Sequence, residues 1–363
     1  MKILMATAIY LPARGGTAIH THEVAIRMVK LGVDVTVAAT SPTAPFEHEQ
    51  QDGPVRVVTV RAWPPHRDYY FAPGLARVIR ESDADLVHLQ GYHTAVAPIV
   101  MLAALRARVP YVVTLHSGGH SSRLRRAIRP AQARLLRPLL TRARRIIAVS
   151  PFEAELFAER LRLPPSAFTV IPSGVDLPPP PPEPRVEGPP LILSIGRVES
   201  YKGHQRVVEA LPALNRARPG THLRIAGSGP YEEELRRLAR RLGVADKLQI
   251  EAVPAHRRDE MAALLSRSWA VAMLSQYESQ GLAVHEALAF GRPLVISNGS
   301  ALNELREHAN VRSLPDDADA EQIAAAILDL LDAPPAAPPV MQTWDGCAAA
   351  LLDLYEETLA ERR

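Results

Sequence analysis

Short apolar runs of strand length alternate along the chain with stretches in which apolar residues return every three or four positions. Ile3–Thr7, Val33–Ala38, Val55–Val60, Leu86–Leu89, Tyr111–Leu115 and Ile146–Val149 carry the first pattern. Val24, Met28 and Leu31, on a helix expected to end at Gly32, carry the second. Strands alternating with helices predict a parallel, doubly wound sheet. The alternation stops at Leu177–Pro184, where consecutive prolines can continue neither a helix nor a sheet ladder and stiffen the chain into a linker. It restarts at Leu191–Ile195, and Leu223–Ala226 then leads through Gly227-Ser228-Gly229-Pro230 into a helix near Tyr231. Trp269–Ser297 reads as strand, loop, helix, strand, and after a second break at Pro334–Pro339 a helix from about Trp344 to Glu361 closes the chain. The expectation is two α/β domains, residues 1–176 and 191–343, joined by a Pro-rich linker over 177–190, with a terminal helix over 344–363.

A length of 363 residues suits two domains better than one core. Cys347 has no second cysteine to pair with, so a reducing compartment is expected. The first apolar run is cut short by Pro12 and Arg14 and reads as a strand rather than a signal peptide. No apolar run approaches the roughly 18 residues of a membrane span. The expected location is cytoplasmic. The net charge of +3 hides an asymmetry: 22 Lys and Arg stand against 13 Asp and Glu through Asp176, and 20 against 26 beyond it. Arg123–Arg145 alone holds nine arginines and no acid, interleaved with Leu124, Ile128, Leu135, Leu136, Leu139 and Leu140, with Pro130 and Pro138 expected to interrupt or kink the helix. Such a stretch is either a solvated face or a peripheral contact with an anionic surface, here the inner face of a membrane. No nucleic-acid-binding module accompanies the charge.

Chemistry-bearing residues gather where the predicted strands end. In Trp269–Ser297, Glu278 lies in the loop, and Leu282, His285, Glu286 and Ala289 follow at helical spacing. Glu286 comes about two turns into a helix starting near Gly281, whose backbone N–H groups would suit a phosphate or sugar oxygen. Gly196-Arg197-Val198-Glu199-Ser200-Tyr201-Lys202-Gly203 sets a planar fork and a compact point charge at a strand-to-helix turn. Both suit a diphosphate whose charge grows as a glycosidic bond breaks, although two loop cations can also be simply solvated. Gly15-Gly16 and Gly227-x-Gly229 allow close backbone approach to a phosphate, or are plain turns. His116 ends its strand at the edge where parallel sheets place ligands, and His88 is expected to line the same crevice. The connection Arg61–Pro73 mixes Trp63, Tyr69, Tyr70 and Phe71 with Arg61, His66, Arg67 and Asp68, and either contacts a ligand or covers the sheet edge. Arg67, Tyr69, Tyr70 and His88 are the acceptor-side candidates. No metal site is expected: Asp83-Ala84-Asp85 precedes its strand, Asp317-Ala318-Asp319 falls where Asp caps a helix, and His20 and His22 cannot share a helix face.

Glu278 and Glu286, running into Ala287-Leu288-Ala289-Phe290-Gly291-Arg292-Pro293-Leu294-Val295, resemble the signature of retaining GT-B glycosyltransferases of family 4 (glycosyltransferase group 1). Gly15, Gly16, His20, Glu23, Val24 and Ala25 resemble the family's opening, and Thr114-Leu115-His116 its strand-end histidine. Pro172-Ser173-Gly174-Val175-Asp176, Gly196-Arg197 with Lys202-Gly203, and Gly227-x-Gly229-Pro230 follow in the family's order. The resemblance implies two Rossmann-like domains facing across a cleft, with the terminal helix crossing back to the first. Residues 1–176 would form the acceptor side and 191–343 the nucleotide-sugar side. It implies that Arg197 and Lys202 bind the diphosphate, that Gly15 and Gly16 close over it, and that Gly227, Gly229, Gly281 and Leu282 belong to the donor site. Glu278 would hold sugar hydroxyls, Glu286 the ribose, and His116 the donor sugar near its anomeric carbon.

The implied activity is retaining, metal-independent transfer from a nucleotide-diphosphate sugar, UDP or GDP first, to a hydroxyl of a glycan, lipid-linked or small-molecule acceptor. Cell-envelope or natural-product glycosylation is the expected setting. His116, Arg197, Lys202 and Glu278 are the expected catalytic set, and no cofactor is required. Tyr277-Glu278-Ser279-Gln280-Gly281 departs from the family's usual loop and leaves the sugar open. The alternatives are another GT-B enzyme, such as a sugar-nucleotide epimerase or a phosphorolytic one, and a non-catalytic partner subunit.

Overall fold

The computed structural model describes residues 1–12, 15–43, 47–64, 70–119, 123–175, 177–178, 189–254, 257–333 and 337–361, without the side chains of Glu47 and 123–127. The chain forms two compact units: residues 1–117, 124–174 and 342–363 make the first, and 118–123 and 175–341 the second.

The first unit is built on strands β1 (Lys2–Thr7), β2 (Asp34–Ser41), β3 (Glu47–Asp52), β4 (Val55–Arg61), β5 (Leu86–Gln90), β6 (Tyr111–Thr114), β7 (Arg145–Ala148) and β8 (Phe168–Val170). They form one eight-stranded sheet in the order β3-β4-β2-β1-β5-β6-β7-β8, parallel except for β3. Helices α1 (Gly16–Lys30), α2 (Gly74–Glu81), α3 (Val96–Ala107), α4 (Arg123–Leu140) and α5 (Pro151–Leu161) connect them. Every residue of β5 and β6 is buried, as expected of central parallel strands covered on both faces. The order reverses at β1: β2 lies on one side and β5 on the other, so the loops after β1 and β5 open a crevice at the strand ends.

The second unit repeats the plan with β9 (Leu191–Ile195), β10 (His222–Ala226), β11 (Leu248–Ile250), β12 (Ala270–Met273), β13 (Leu294–Ser297) and β14 (Val311–Leu314) in the all-parallel order β11-β10-β9-β12-β13-β14. Its helices are α6 (His204–Ala217), α7 (Glu232–Arg241), α8 (Arg258–Arg267), α9 (Leu282–Ala289) and α10 (Ala320–Asp332). Here the order reverses between β9 and β12.

The final helix, α11 (Trp344–Ala360), belongs to the first unit and packs along α1. Thr343 caps it by accepting from the Gly346 amide at 3.0 Å. Trp344, Cys347, Leu351, Leu354 and Tyr355 are buried, and the Tyr355 hydroxyl bonds Nδ1 of His88. Asp345 accepts from Arg27 of α1 at 2.8 Å, and Glu361 pairs with Arg145. Gly174 is required where the chain passes this helix: a Cβ there would lie 2.1 Å from the Trp344 amide nitrogen.

Several expectations are corrected. Gly32, at φ 83°, ends helix α1 as expected, but Leu31 is half exposed rather than on the buried face, which is Ala18, His20, Thr21, Val24, Ala25 and Met28. Pro130 and Pro138 do not interrupt α4, which runs through both. Asp319 caps α10 as expected, in a capping box with Gln322, while Asp83 pairs with the Lys2 ammonium and Asp85 accepts from the Lys2 amide at 2.8 Å. Most of the linker lies outside the described residues.

The hydroxyl joining α11 to β5 is testable. Tyr355→Phe keeps the ring but removes the hydroxyl from a buried nitrogen of His88. We expect a loss of about 1–3 kcal/mol, seen as a lower urea midpoint at unchanged m value; an unaltered midpoint would show the bond carries no stability.

Candidate active site

The two loops at the switch point of the second unit hold its charged cluster. After β9 the chain turns through Gly196–Gly203, with a short 3₁₀ turn over Ser200–Lys202. Gly203, at φ 74°, has its Cβ position 2.0 Å from the Leu274 carbonyl oxygen, so only glycine lets this turn lie against the end of β12. Lys202 thereby meets Glu278, which comes from the loop after β12: Nζ donates to Oε1 at 2.6 Å, and the two side chains are 12% and 13% exposed. Burial pulls the Lys202 pKa down, but Glu278 and Tyr201 outweigh it and the net shift is upward, so the ammonium stays charged. Arg197 donates to the Tyr201 hydroxyl at 2.7 Å and forms an ion pair with Glu199 at 2.6 Å, and its side chain is 48% exposed. The Tyr201 ring thus sits beside both cations, its centroid 5.9 Å from the Arg197 guanidinium carbon and 5.4 Å from the Lys202 nitrogen.

Gly227 and Gly229 shape this turn from behind. A Cβ on Gly227 would fall 1.8 Å from the Gly196 carbonyl oxygen, and one on Gly229 2.3 Å from that of Val198. His204 holds the Arg197 carbonyl at 3.2 Å while its other nitrogen meets Ser194 at 2.8 Å. Glu286, in α9, is buried and pairs with Arg258 at the start of α8. Gly281 caps α9 at φ 82°, with Leu282 the first helical residue and Leu302 2.7 Å from the Cβ position. Among the described residues no group of three or more His, Cys, Asp and Glu converges as a metal cage.

In the first unit, Gly15 and Gly16 open α1, with the Gly15 carbonyl accepting from Ile19 at 3.2 Å. His116 follows β6 in the left-handed region at φ 45° and is 8% exposed. Its Nε2 lies 2.7 Å from Gln90 Oε1, and its ring stands edge-on to His20 with centroids 4.5 Å apart. His20 bonds Ser173 at 3.0 Å. Glu153, buried in α5, fixes the backbone beyond His116: its carboxylate accepts from the Ser117 amide at 2.6 Å, the Ser117 hydroxyl, and the Val149 amide at 2.9 Å. His88 does not line the crevice. It is fully buried, with one nitrogen on Tyr355 and the other on Thr114 at 2.7 Å, so the acceptor-side expectation gives way to a structural bond. Tyr70 packs against the core; Arg67 and Tyr69 lie outside the described residues.

Tyr201, Arg258, Glu153 and Gln90 were not expected. Tyr201 was within reach, since it sits inside the Arg197–Lys202 frame; the others reveal themselves only through partners distant in sequence.

Residues 14–178 match Glycosyltransferase Family 4, and residues 180–340 match Glycosyl transferases group 1. The glycogen synthase of Mycobacterium tuberculosis is 31% identical over 375 residues, 93% of this chain and 87% of the relative. This chain belongs to the group 1, family 4 glycosyltransferases. The GDP-mannose-dependent alpha-(1-6)-phosphatidylinositol monomannoside mannosyltransferase of the same organism is 26% identical, covering 91% of this glycosyltransferase and 89% of its own length. The sucrose-phosphate synthase of Thermosynechococcus elongatus superposes with a TM-score of 0.76 at 19% identity over 99% of both chains. HepE of Anabaena, in complex with UDP and glucose, superposes equally well, at 18% identity over 98% and 99%. The fold is GT-B, with two parallel-sheet Rossmann-like domains, and the enzyme transfers sugar from a nucleotide sugar. Among the described residues no helix of this glycosyltransferase is long and apolar enough to cross a membrane.

The buried histidines set a pH dependence. Burial holds His20 and His88 down to about 3 and His204 to about 4, and it holds His116 well below the ordinary range. Unfolded, each ring titrates near 6.5, so below that pH the unfolded chain takes up protons the fold refuses. Their stabilising contribution is present above about pH 6.5 and is lost as the pH falls toward 4. Glu153, pushed up to about 6 by burial, works in the opposite sense between about pH 6 and 4.5, one group against these four and His285, which burial also lowers. Urea midpoints are expected to fall clearly between pH 7.5 and 5, each ring contributing at most about 1.4 kcal/mol per pH unit; a flat profile would mean these rings are not held neutral.

Proposed function

We propose that this glycosyltransferase moves a sugar with retention of configuration, without a metal ion, from a UDP- or GDP-sugar to a hydroxyl of a glycan, lipid-linked or small-molecule acceptor. The observation that carries the reading is the charged Lys202–Glu278 pair beside Arg197 at the switch point of the second unit. Two cations set a few residues apart on one rigid turn offer a diphosphate what a divalent ion would otherwise supply. The UDP complexes of HepE and the GDP-mannose requirement of the mannosyltransferase relative support those two bases as the first to try.

Arg197 and Lys202 would hold the diphosphate, Glu278 would accept hydrogen bonds from sugar hydroxyls, and Glu286, steadied by Arg258, those of the ribose. His116 would meet the donor sugar as a neutral ring. As the bond from the anomeric carbon to the phosphate oxygen breaks, the acceptor oxygen bonds to the same face of that carbon. Its proton passes to the departing diphosphate oxygen, so no protein nucleophile enters.

The reading extends to α4, as a peripheral contact with the cytoplasmic face of an anionic membrane. Ile128 is 46% and Leu135 79% exposed, and Arg134, Arg137 and Arg142 are exposed around them. Apolar side chains flanked by cations match an anionic lipid interface. Leu135→Glu should then abolish co-sedimentation with phosphatidylglycerol vesicles while leaving the melting temperature unchanged; equal binding of both proteins, or of neither, would remove the membrane from the proposal.

Thermal unfolding with UDP, GDP, dTDP and ADP tests the donor site. A diphosphate at about a hundred times its Kd adds roughly 2.7 kcal/mol to the state that binds it. A selective shift with UDP or GDP is expected, and Lys202→Ala should erase it. With the matching sugar donor, Arg197→Ala should lower kcat about 10²–10³-fold, as loss of one charge-stabilising donor typically does. No shift with any diphosphate, an inverted anomer in the product, or activity lost to a chelator would each overturn the corresponding part of the proposal.

A further inference from the structure

Gln90, the last residue of β5, stands between two buried histidines that the reaction scheme uses unequally. Its side-chain oxygen lies 2.7 Å from Nε2 of His116, and its side-chain nitrogen lies 3.3 and 3.4 Å from the two nitrogens of His88. Gln90 pairs across the sheet with Thr114, whose hydroxyl meets His88 at 2.7 Å, while Tyr355 meets the opposite side of that ring. His88 is thus held from both sides by hydroxyls, with the Gln90 amino group beside its ring. The Gln90 oxygen is left turned to His116, where only an N–H can answer it.

We infer that Gln90 is a positioning residue that holds His116 as the Nε2–H tautomer, so that Nδ1 presents a lone pair and accepts a hydrogen bond from a substrate hydroxyl. A neutral imidazole carries one proton, and once Nε2–H is committed to Gln90 the other nitrogen can only accept. The ring therefore selects a donor group, such as a sugar hydroxyl, and turns away an oxyanion such as a phosphate or carboxylate. His116 is aimed by an uncommon backbone: its left-handed φ of 45° is held by the Ser117–Glu153 bonds just beyond it. The titratable groups acting on the ring are His20 from α1, His88 from β5 and His93 from the loop after β5, and burial with these neighbours keeps it neutral.

The substrate half of this inference rests on the proposed role of His116; the tautomer half does not, and the experiment separates them. Long-range ¹H–¹⁵N spectra of histidine-labelled wild-type protein, with His116 assigned by its absence in His116→Gln, read the tautomer directly. The inference requires an unprotonated Nδ1 from pH 6 to 8, and a mixed or reversed tautomer in Gln90→Leu. Protonation on Nδ1 in the wild type, or no change in Gln90→Leu, would overturn it. For function, Gln90→Glu places a carboxylate against Nε2 and favours the imidazolium, which has no lone pair to offer. Its kcat/KM for the sugar donor should fall at least tenfold near pH 6 and recover as the pH rises, a limb the wild type lacks. Gln90→Leu should lower kcat/KM several-fold without that limb. A merely structural glutamine would lower the melting temperature of both variants and leave the shape of the profile unchanged. A correct tautomer with unchanged kcat/KM in both variants would overturn the substrate half and remove His116 from the donor site with it.

Discussion

The ion pair between Lys202 and Glu278 organises the second unit's chemistry. Both side chains are nearly out of water, and a pair so placed forgoes hydration that its mutual attraction only partly returns. It exists because two features of the backbone leave no other arrangement. Gly203 brings the turn after β9 against the end of β12, and the reversal of strand order between β9 and β12 puts both loops at the same opening. Gly227 and Gly229, packed on the carbonyls of Gly196 and Val198, keep the turn from relaxing outward. The charges are therefore fixed before any ligand arrives, so the proposed neutralising of a leaving diphosphate would require little reorganisation of the protein.

The first unit is built on the opposite electrostatic principle. Where the second unit buries a paired charge, the first buries neutral rings: His20, His88 and His116 share hydrogen bonds with Ser173, Tyr355, Thr114 and Gln90. Each bond joins residues distant in sequence, so the neutral state of the rings and the docking of α11 depend on one another. A proton entering this group would charge a ring without an acid beside it. The final helix is thus part of the support of the sheet that carries His116, even though it comes last in the chain.

The fold was largely legible because central parallel strands are buried on both faces and so appear as unbroken apolar runs. β1, β5, β6, β9 and β12 all announce themselves in this way. The strands that escaped notice lack that constraint. β3, with the sequence Glu-His-Glu-Gln-Gln-Asp, is an edge strand whose pairing with β4 comes from the backbone, and β8, β11 and β14 are short strands at sheet edges. The prolines of α4 do not break the helix, for a related reason. Pro130 and Pro138 each remove a helical hydrogen bond, yet the buried contacts of Ala133, Leu136 and Leu140 favour one continuous helix.

The charged cluster proposed as the site was legible where its parts are contiguous and hidden where they are assembled across strands. Arg197 and Lys202 share one turn beside Tyr201, and Glu278 and Glu286 share one loop and helix, so spacing alone shows each pair. Glu153 gives no such signal. It lies in an ordinary helix start after Ser150, and its role appears only when the end of β6 delivers Ser117 to its carboxylate. His88 shows the converse: its place one strand from His116 makes it look like a crevice residue, but the pleat turns it to the face that α11 covers. Two residues further along the same strand, Gln90 has the same parity and also turns inward. What sets them apart is depth along the strand: His88 sits mid-sheet under Tyr355, whereas Gln90 reaches the strand end, where His116 leaves the sheet.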